Sequence, residues 1–322
     1  MSRLEDICEF IVDCPHSTAK DEGTGYPLIR TPNVGKGRLL LEGVHRVSEQ
    51  VYHKRNQRAV PQNDDLIFAR EAPAGNVAII KHGEKVCLGQ RTVLLRPNKE
   101  KVNPDFLVYF LLAPKQQYGL LGTANGATVA HVNIPIIRNL KIDLPSLTMQ
   151  GRIASIITAY DDLIENNQKQ IKLLEEAAQR LYKEWFVDLR FPGHETTPIV
   201  DGVPEGWKKD SLGSICTLKK DTVSAGKIPI ETPYIGLEHM PRVDFCLSSW
   251  GNAEEVTSNK FQYTEDDIIF GKIRPYFHKV GFALNSGVVS TDSFVLKAND
   301  GLWGLLLMTV FDKLFVDYTY QT

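Results

Sequence analysis

Two pairs of adjacent aspartates, Asp64-Asp65 and Asp266-Asp267, are the residues whose spacing would suit acid–base or nuclease-type hydrolysis, because neighbouring carboxylates can divide the work of proton transfer. Each pair, however, stands directly before an apolar run, Leu66-Ile67-Phe68 and Ile268-Ile269-Phe270, where a turn carboxylate is routine. A structural role is the expectation for both, since a duplicated turn is simpler than two active sites. Five cysteines (Cys8, Cys14, Cys87, Cys216, Cys246) are odd in number and scattered, without a Cys-x-x-Cys pair. That argues against a disulfide framework and a zinc site, and for reduced, mostly buried thiols. His131, with Thr128 and Asn133, belongs to a loop without an accompanying metal-ligand set; a ligand contact and a loop-stabilising hydrogen bond are both open to it. No catalytic residue and no metal site is expected.

A second kind of chemistry needs rigidly held donors in place of a reactive centre. Base edges in a DNA groove are read by Arg, Asn, Gln and Thr on loops, while separate cations sit on phosphates. Arg30, Asn33, Lys36 and Arg38 cluster around a Gly-rich turn, Arg70 follows an apolar run, and Gln90-Arg91-Thr92 precedes another; Thr128 and His131 complete the set. Singly, each reads as an ordinary surface side chain, and the group carries the argument. Charge adds little: the net charge is −2, and the first 147 residues carry 19 Lys and Arg against 15 Asp and Glu. That is the most basic part of the chain, but a small excess is usually a solvated surface.

The elements that must position these residues come in a repeat. Asp64 to Arg70 (DDLIFAR) aligns with Asp266 to Lys272 (DDIIFGK) at an offset of 202, and the same offset carries RTVLL at 91–95 onto SFVLK at 293–297. LEDI at 4–7 matches LGSI at 212–215, and YPLI at 26–29 resembles TPYI at 232–235. Blocks in one order at nearly one offset indicate a duplicated module of about 200 residues, whose second copy stops short by roughly 70 residues. The places in that copy equivalent to the reading candidates hold Glu238, Lys272, Arg274 and Tyr276. Within the first module, strands are expected at 27–31, 66–70, 76–80, 91–96 and 140–144 between Gly, Pro and Asn turns. One helix is expected inside it, because Asn103-Pro104-Asp105 is a cap followed by proline at the first helical position. The fold class is α+β, with mixed α/β recognition modules.

Residues 148–189 contain no proline and a single glycine, Gly151, so a helix of about 40 residues is feasible. Ile157, Ile164, Ile171, Ala178 and Trp185 recur every seventh residue, as do Ile153, Tyr160, Asn167, Leu174 and Leu181. This is a coiled-coil seam of over four heptads, which needs a partner helix, and the polar Asn167 within it would specify register or partner. Trp185-Phe186 at its end places one aromatic where another chain could meet it. The expected organisation is a first recognition domain at 1–147, the long helix at 148–190, a linker at 191–206, and an incomplete second recognition domain at 207–322. The start lacks an apolar signal core and the longest apolar stretch, 302–311, is too short to span a bilayer, so a cytoplasmic chain with no membrane contact is expected.

The sequence resembles the specificity subunits of type I restriction-modification systems. The resemblance is carried by Leu144-Pro145-Ser146-Leu147 running into Gln150-Gly151-Arg152-Ile153-Ala154, then by YDDLIENN at 160–167 and LYKEWFVD at 181–188. Upstream, Gly126-Ala127-Thr128-Val129, Val132-Asn133-Ile134, Asp65-Leu66-Ile67 and Gln90-Arg91-Thr92 fit as well. The resemblance implies two target-recognition domains that read the halves of a split double-stranded DNA site, with two antiparallel helices setting their spacing. It implies modification (methyltransferase) subunits that bring S-adenosylmethionine, a restriction subunit that uses ATP and Mg2+, and no cofactor or catalytic centre in this chain. Consistently, Asn133-Ile134-Pro135-Ile136 is not the Asn-Pro-Pro-aromatic motif of a base-extruding methyltransferase. With the second copy short, a homodimer through the long helix is one way to cover its seam.

Overall fold

Unbroken apolar runs bounded by turns become the central strands of a computed structural model that describes residues 2–122 and 131–321. The chain divides into two units, Met1–Asn166 and Asn167–Thr322. In the first, five strands stand in the order Cys8–Asp13, Thr92–Pro97, Leu66–Ala69, Val77–Ile79, Gly37–Arg38. Neighbours are antiparallel except the last pair. Side chains alternate between the two faces of a strand, so Leu66 and Phe68 join one core with Val93 and Leu95, while Ile67 and Ala69 join another with Ala78 and Leu94. Burial on both faces is why these strands are apolar throughout and lack alternation. The first core is closed by helices Pro104–Leu112 and Pro114–Leu121 and by Ile153 and Ala154 of the long helix. A smaller sheet, Arg46–Val47, Tyr26–Ile29, Cys87–Leu88, lies against the other side.

The second unit repeats this topology. Its first sheet runs Cys216–Lys219, Ser293–Ala298, Ile268–Gly271, Val280–Ala283, Cys246–Leu247, again with only the last pair parallel. Helices Trp303–Phe311 and Lys313–Gln321 follow as Pro104–Leu112 and Pro114–Leu121 do in the first. In its other sheet Pro233–Ile235 is parallel to Gly287–Val289, as Tyr26–Ile29 is to Cys87–Leu88. The duplication read from short sequence blocks is therefore a duplication of strand order.

Several expectations shift in detail. The strand at 140–144 shrinks to Lys141–Ile142, pairing with Ser2–Arg3. The single helix expected per module is corrected: Pro104–Leu112 forms with Asn103 accepting from the Phe106 amide at 2.9 Å, but Pro114–Leu121, Glu49–Arg55 and Ile134–Arg138 are helical too. Pro114 ends one helix and opens the next, because its fixed φ and missing N–H suit a first turn. The long helix runs Leu147–Tyr182 and continues with π-type bonding over Lys183–Val187. Between it and the second sheet pair, Ile199–Val200 and Val203–Pro204 form a hairpin around Asp201-Gly202, both at positive φ, which is the preferred two-residue turn.

The paired aspartates are turn residues in both units. Asp64 and Asp266 take φ of 71° and 66°, while Asp65 and Asp267 are 1% and 3% exposed. Asp65 receives Arg96 through both oxygens at 2.8 and 2.7 Å, and Asp267 receives Lys219 at 2.6 Å. The cation comes from a different strand in each copy, so the need was kept and its supplier changed. Burial pushes the Asp64 carboxyl up, but hydrogen bonds from Lys99 and Lys81 outweigh it and hold it below its ordinary value of 3.8. A carboxyl depressed on folding stabilises the fold when ionised, so its contribution is full above pH 3.8 and fades as pH falls below that. Calorimetry is expected to find Asp64→Asn less stable than the parent at pH 7, with the difference shrinking as pH falls below 3.8; a pH-independent difference would contradict this.

Candidate nucleic-acid interface

The first unit gathers its polar candidates at the end of the hairpin between Leu66–Ala69 and Val77–Ile79. Arg70 is nearly enclosed: its guanidinium meets both Asp13 oxygens at 3.2 and 3.3 Å, donates through Nε to the Val132 carbonyl at 3.0 Å, and reaches His131 Nε2 at 2.8 Å. A guanidinium only donates, so His131 Nε2 accepts and its Nδ1–H goes to Glu71 at 2.5 Å. Glu71 also receives Arg91 at 2.8 Å, and Arg91 stays 61% exposed at a φ of 64°. Gln90 accepts from the Thr18 hydroxyl and donates to the His16 carbonyl. Thr92 is fully buried, its hydroxyl donating to the Gly89 carbonyl at 2.9 Å. Asp13, His16 and Glu71 were missed in the sequence. The one local signal was Glu71 following Arg70; the other contacts join residues up to 74 positions apart.

The turn over residues 30–38 is held from inside. Asn33 is buried, accepting from the Arg30 amide at 3.2 Å and donating to the Leu40 carbonyl at 3.2 Å, so both ends of its amide serve the turn. Arg30 lies over Gly89, where a Cβ would come within 2.9 Å of its Cγ. Lys36 is exposed. Arg38 reaches Asp162 of the long helix at 2.5 Å. Thr128 lies outside the described residues.

In the second unit the equivalent hairpin end carries Lys272, Arg274 and Tyr276. Lys272 donates to the Thr291 carbonyl at 2.9 Å and lies 4.4 Å from the centre of the Phe294 ring, a favourable place for a cation. Arg274 and His278 both adopt left-handed backbone, and strain of this kind is held only where surrounding structure enforces it. Arg274 is exposed, and Tyr276 is 51% exposed with its ring against Phe277 and Tyr320. Glu238 is exposed as well.

The helix seam is largely open. Tyr160, Ile164, Ile171, Leu174 and Leu181 are 65, 53, 53, 70 and 51% exposed, and Asn167 is exposed among them. Ile157 is half-buried, while Ile153 and Ala178 turn into the cores of their own units. Trp185 is half-buried, and Phe186 stacks between Tyr182 and Trp207.

All five cysteines are free, and burial pushes Cys8 up to about 12 and Cys87 up to about 11. Among the described residues no three His, Cys, Asp or Glu side chains are grouped to hold a metal, and no helix is long and apolar enough to cross a membrane.

A sequence profile described as the type I restriction modification DNA specificity domain matches residues 1–176. The chain is 27% identical over 287 residues to the type I restriction enzyme MjaIX specificity subunit of Methanocaldococcus jannaschii, covering 84% of this chain and 65% of that one. It is 31% identical over 143 residues to the HindI specificity subunit of Haemophilus influenzae, covering 43% of this chain and 31% of that one. It thus spans less than two thirds of the length of these relatives. Its fold is like that of the S subunit of a type I restriction-modification system from M. genitalium, with a TM-score of 0.57 at 15% identity over 99% of this chain and 78% of that one. With the profile covering more than half of its residues, the chain belongs to the type I restriction modification DNA specificity domain family.

Proposed function

We propose that this chain is a sequence-specific, non-catalytic DNA specificity subunit that reads a bipartite site and directs methylation and cleavage by partner subunits. The observation that carries this reading is that exposed cationic and aromatic side chains stand at the same end of the main sheet in two modules with one strand order, Arg91 before strand Thr92–Pro97 in the first and Arg274 and Tyr276 on the hairpin in the second. With Lys36, these are the side chains proposed to meet phosphates and base edges. Arg70, Gln90, Thr92, His131 and Asn33 are proposed to hold the loops that present them, and Lys272 to brace the second loop. S-adenosylmethionine then belongs to the modification subunits, ATP and Mg2+ to the restriction subunit, and the chain works in the cytoplasm with DNA. The open seam is proposed to take a partner helix, supplied by a second copy when none is available within the chain.

Selection from a random pool of duplexes, with modification subunits present, tests this. One split motif should be enriched, and affinity for it should fall steeply with salt, because each phosphate contact releases close to one counterion. An unselective pool under those conditions contradicts the proposal.

A further inference from the structure

The long helix joins the first module at two places of different chemistry. At its start, Ile153 and Ala154 enter the apolar core, and the buried Gln150 accepts from the Asn103 amide at 2.8 Å. Seven residues on, or about 10 Å along the axis, the contact is polar: Tyr109 donates to Asp161 at 2.5 Å, and Arg38 donates to Asp162 at 2.5 Å. One attachment leaves a hinge, and two fix an angle. The second is shaped for its purpose: Gly37 has a φ of +96°, and a Cβ there would stand 3.1 Å from both Asp161 Oδ2 and the Tyr109 ring. Arg38 Nε is buried without a partner, so Asp162 is the acceptor that holds this guanidinium.

We infer that Asp161 and Asp162 are positioning residues, which with Tyr109, Gly37 and Arg38 form a polar latch fixing the Gly37–Arg38 edge strand, and the turn of residues 30–38 before it, at one angle to the helix. The YDDLIENN block thereby gains a role separate from the seam: Asp161 and Asp162 bond to the module while Tyr160 and Ile164 stay open. Neither acid touches DNA in this account. They act by holding the surface that carries Lys36, and this consequence rests on the DNA-reading proposal.

The test uses the full chain and compares Tyr109→Phe, Asp161→Ala and Gly37→Ala with Asp161→Asn, which keeps an acceptor for the tyrosine hydroxyl. Hydrogen exchange at residues 35–40 is expected to speed up at least tenfold in the first three and to stay near the parent rate in Asp161→Asn, with the Leu66–Ala69 amides unchanged in all. In complex with modification subunits, the first three should also lose most of their preference between the cognate duplex and one with a single base pair added between its halves, and Asp161→Asn should retain it. Unchanged exchange in Tyr109→Phe and Asp161→Ala overturns the latch, as does equal acceleration of the central strand, which would mean general loosening. If the parent chain itself selects no duplex, the DNA reading fails, and exchange alone decides the latch.

Discussion

Replacing Asp65 by alanine is expected to destabilise the first unit by about 3–5 kcal/mol, the usual consequence of removing one partner from a buried ion pair. Asp65 is 1% exposed and takes both donors of Arg96 together with the Gln62 amide at 2.8 Å. Without it, Arg96 is left a largely enclosed cation, retaining the Val60 carbonyl and its stacking 4.6 Å from the centre of the Phe10 ring. Adding Arg96→Met to Asp65→Ala should recover part of the loss, because the orphaned charge goes too. Asp267→Ala should have a similar effect on the second unit, through Lys219. Calorimetry of the full chain decides. An Asp65→Ala protein as stable as the parent would mean the pair does not serve the fold and would reopen the hydrolytic reading of these acids.

The second large effect concerns the helix. Ile164 and Leu174 are 53 and 70% exposed on the seam, and burying such side chains against a partner is worth about 1.5–3 kcal/mol each. Ile164→Glu combined with Leu174→Glu is therefore expected to weaken association through the helix by two to four orders of magnitude, while the stability of each unit barely changes. Sedimentation of the parent and the variant, alone and with modification subunits, measures it. Unchanged association would place the partner elsewhere.

What could be read in the sequence follows from how local each signal is. The Asn103 cap, the Asp-Asp turns and the apolar strands rest on a few adjacent residues, and each stands where its chemistry placed it. The repeat was legible because equivalent strands follow one another along the chain in the same order in both copies. Which cations are spoken for was not legible. Arg38 finds its acid 124 residues away and Arg70 finds Asp13 57 residues away, and neither separation leaves a periodic trace. Thr92 and Asn33 look like surface readers in the sequence, and their burial follows from the close approach of strand ends that no local pattern reports.

The role proposed for this chain is to choose the DNA sequence on which other subunits act. Sequencing of methylated bases in cells that carry it together with modification subunits tests that most directly. Methylation should fall on one split motif, disappear when this chain is withdrawn, and weaken when Lys36 and Arg91 are both changed to alanine. Methylation that persists at the same motif in the absence of this chain would contradict the account.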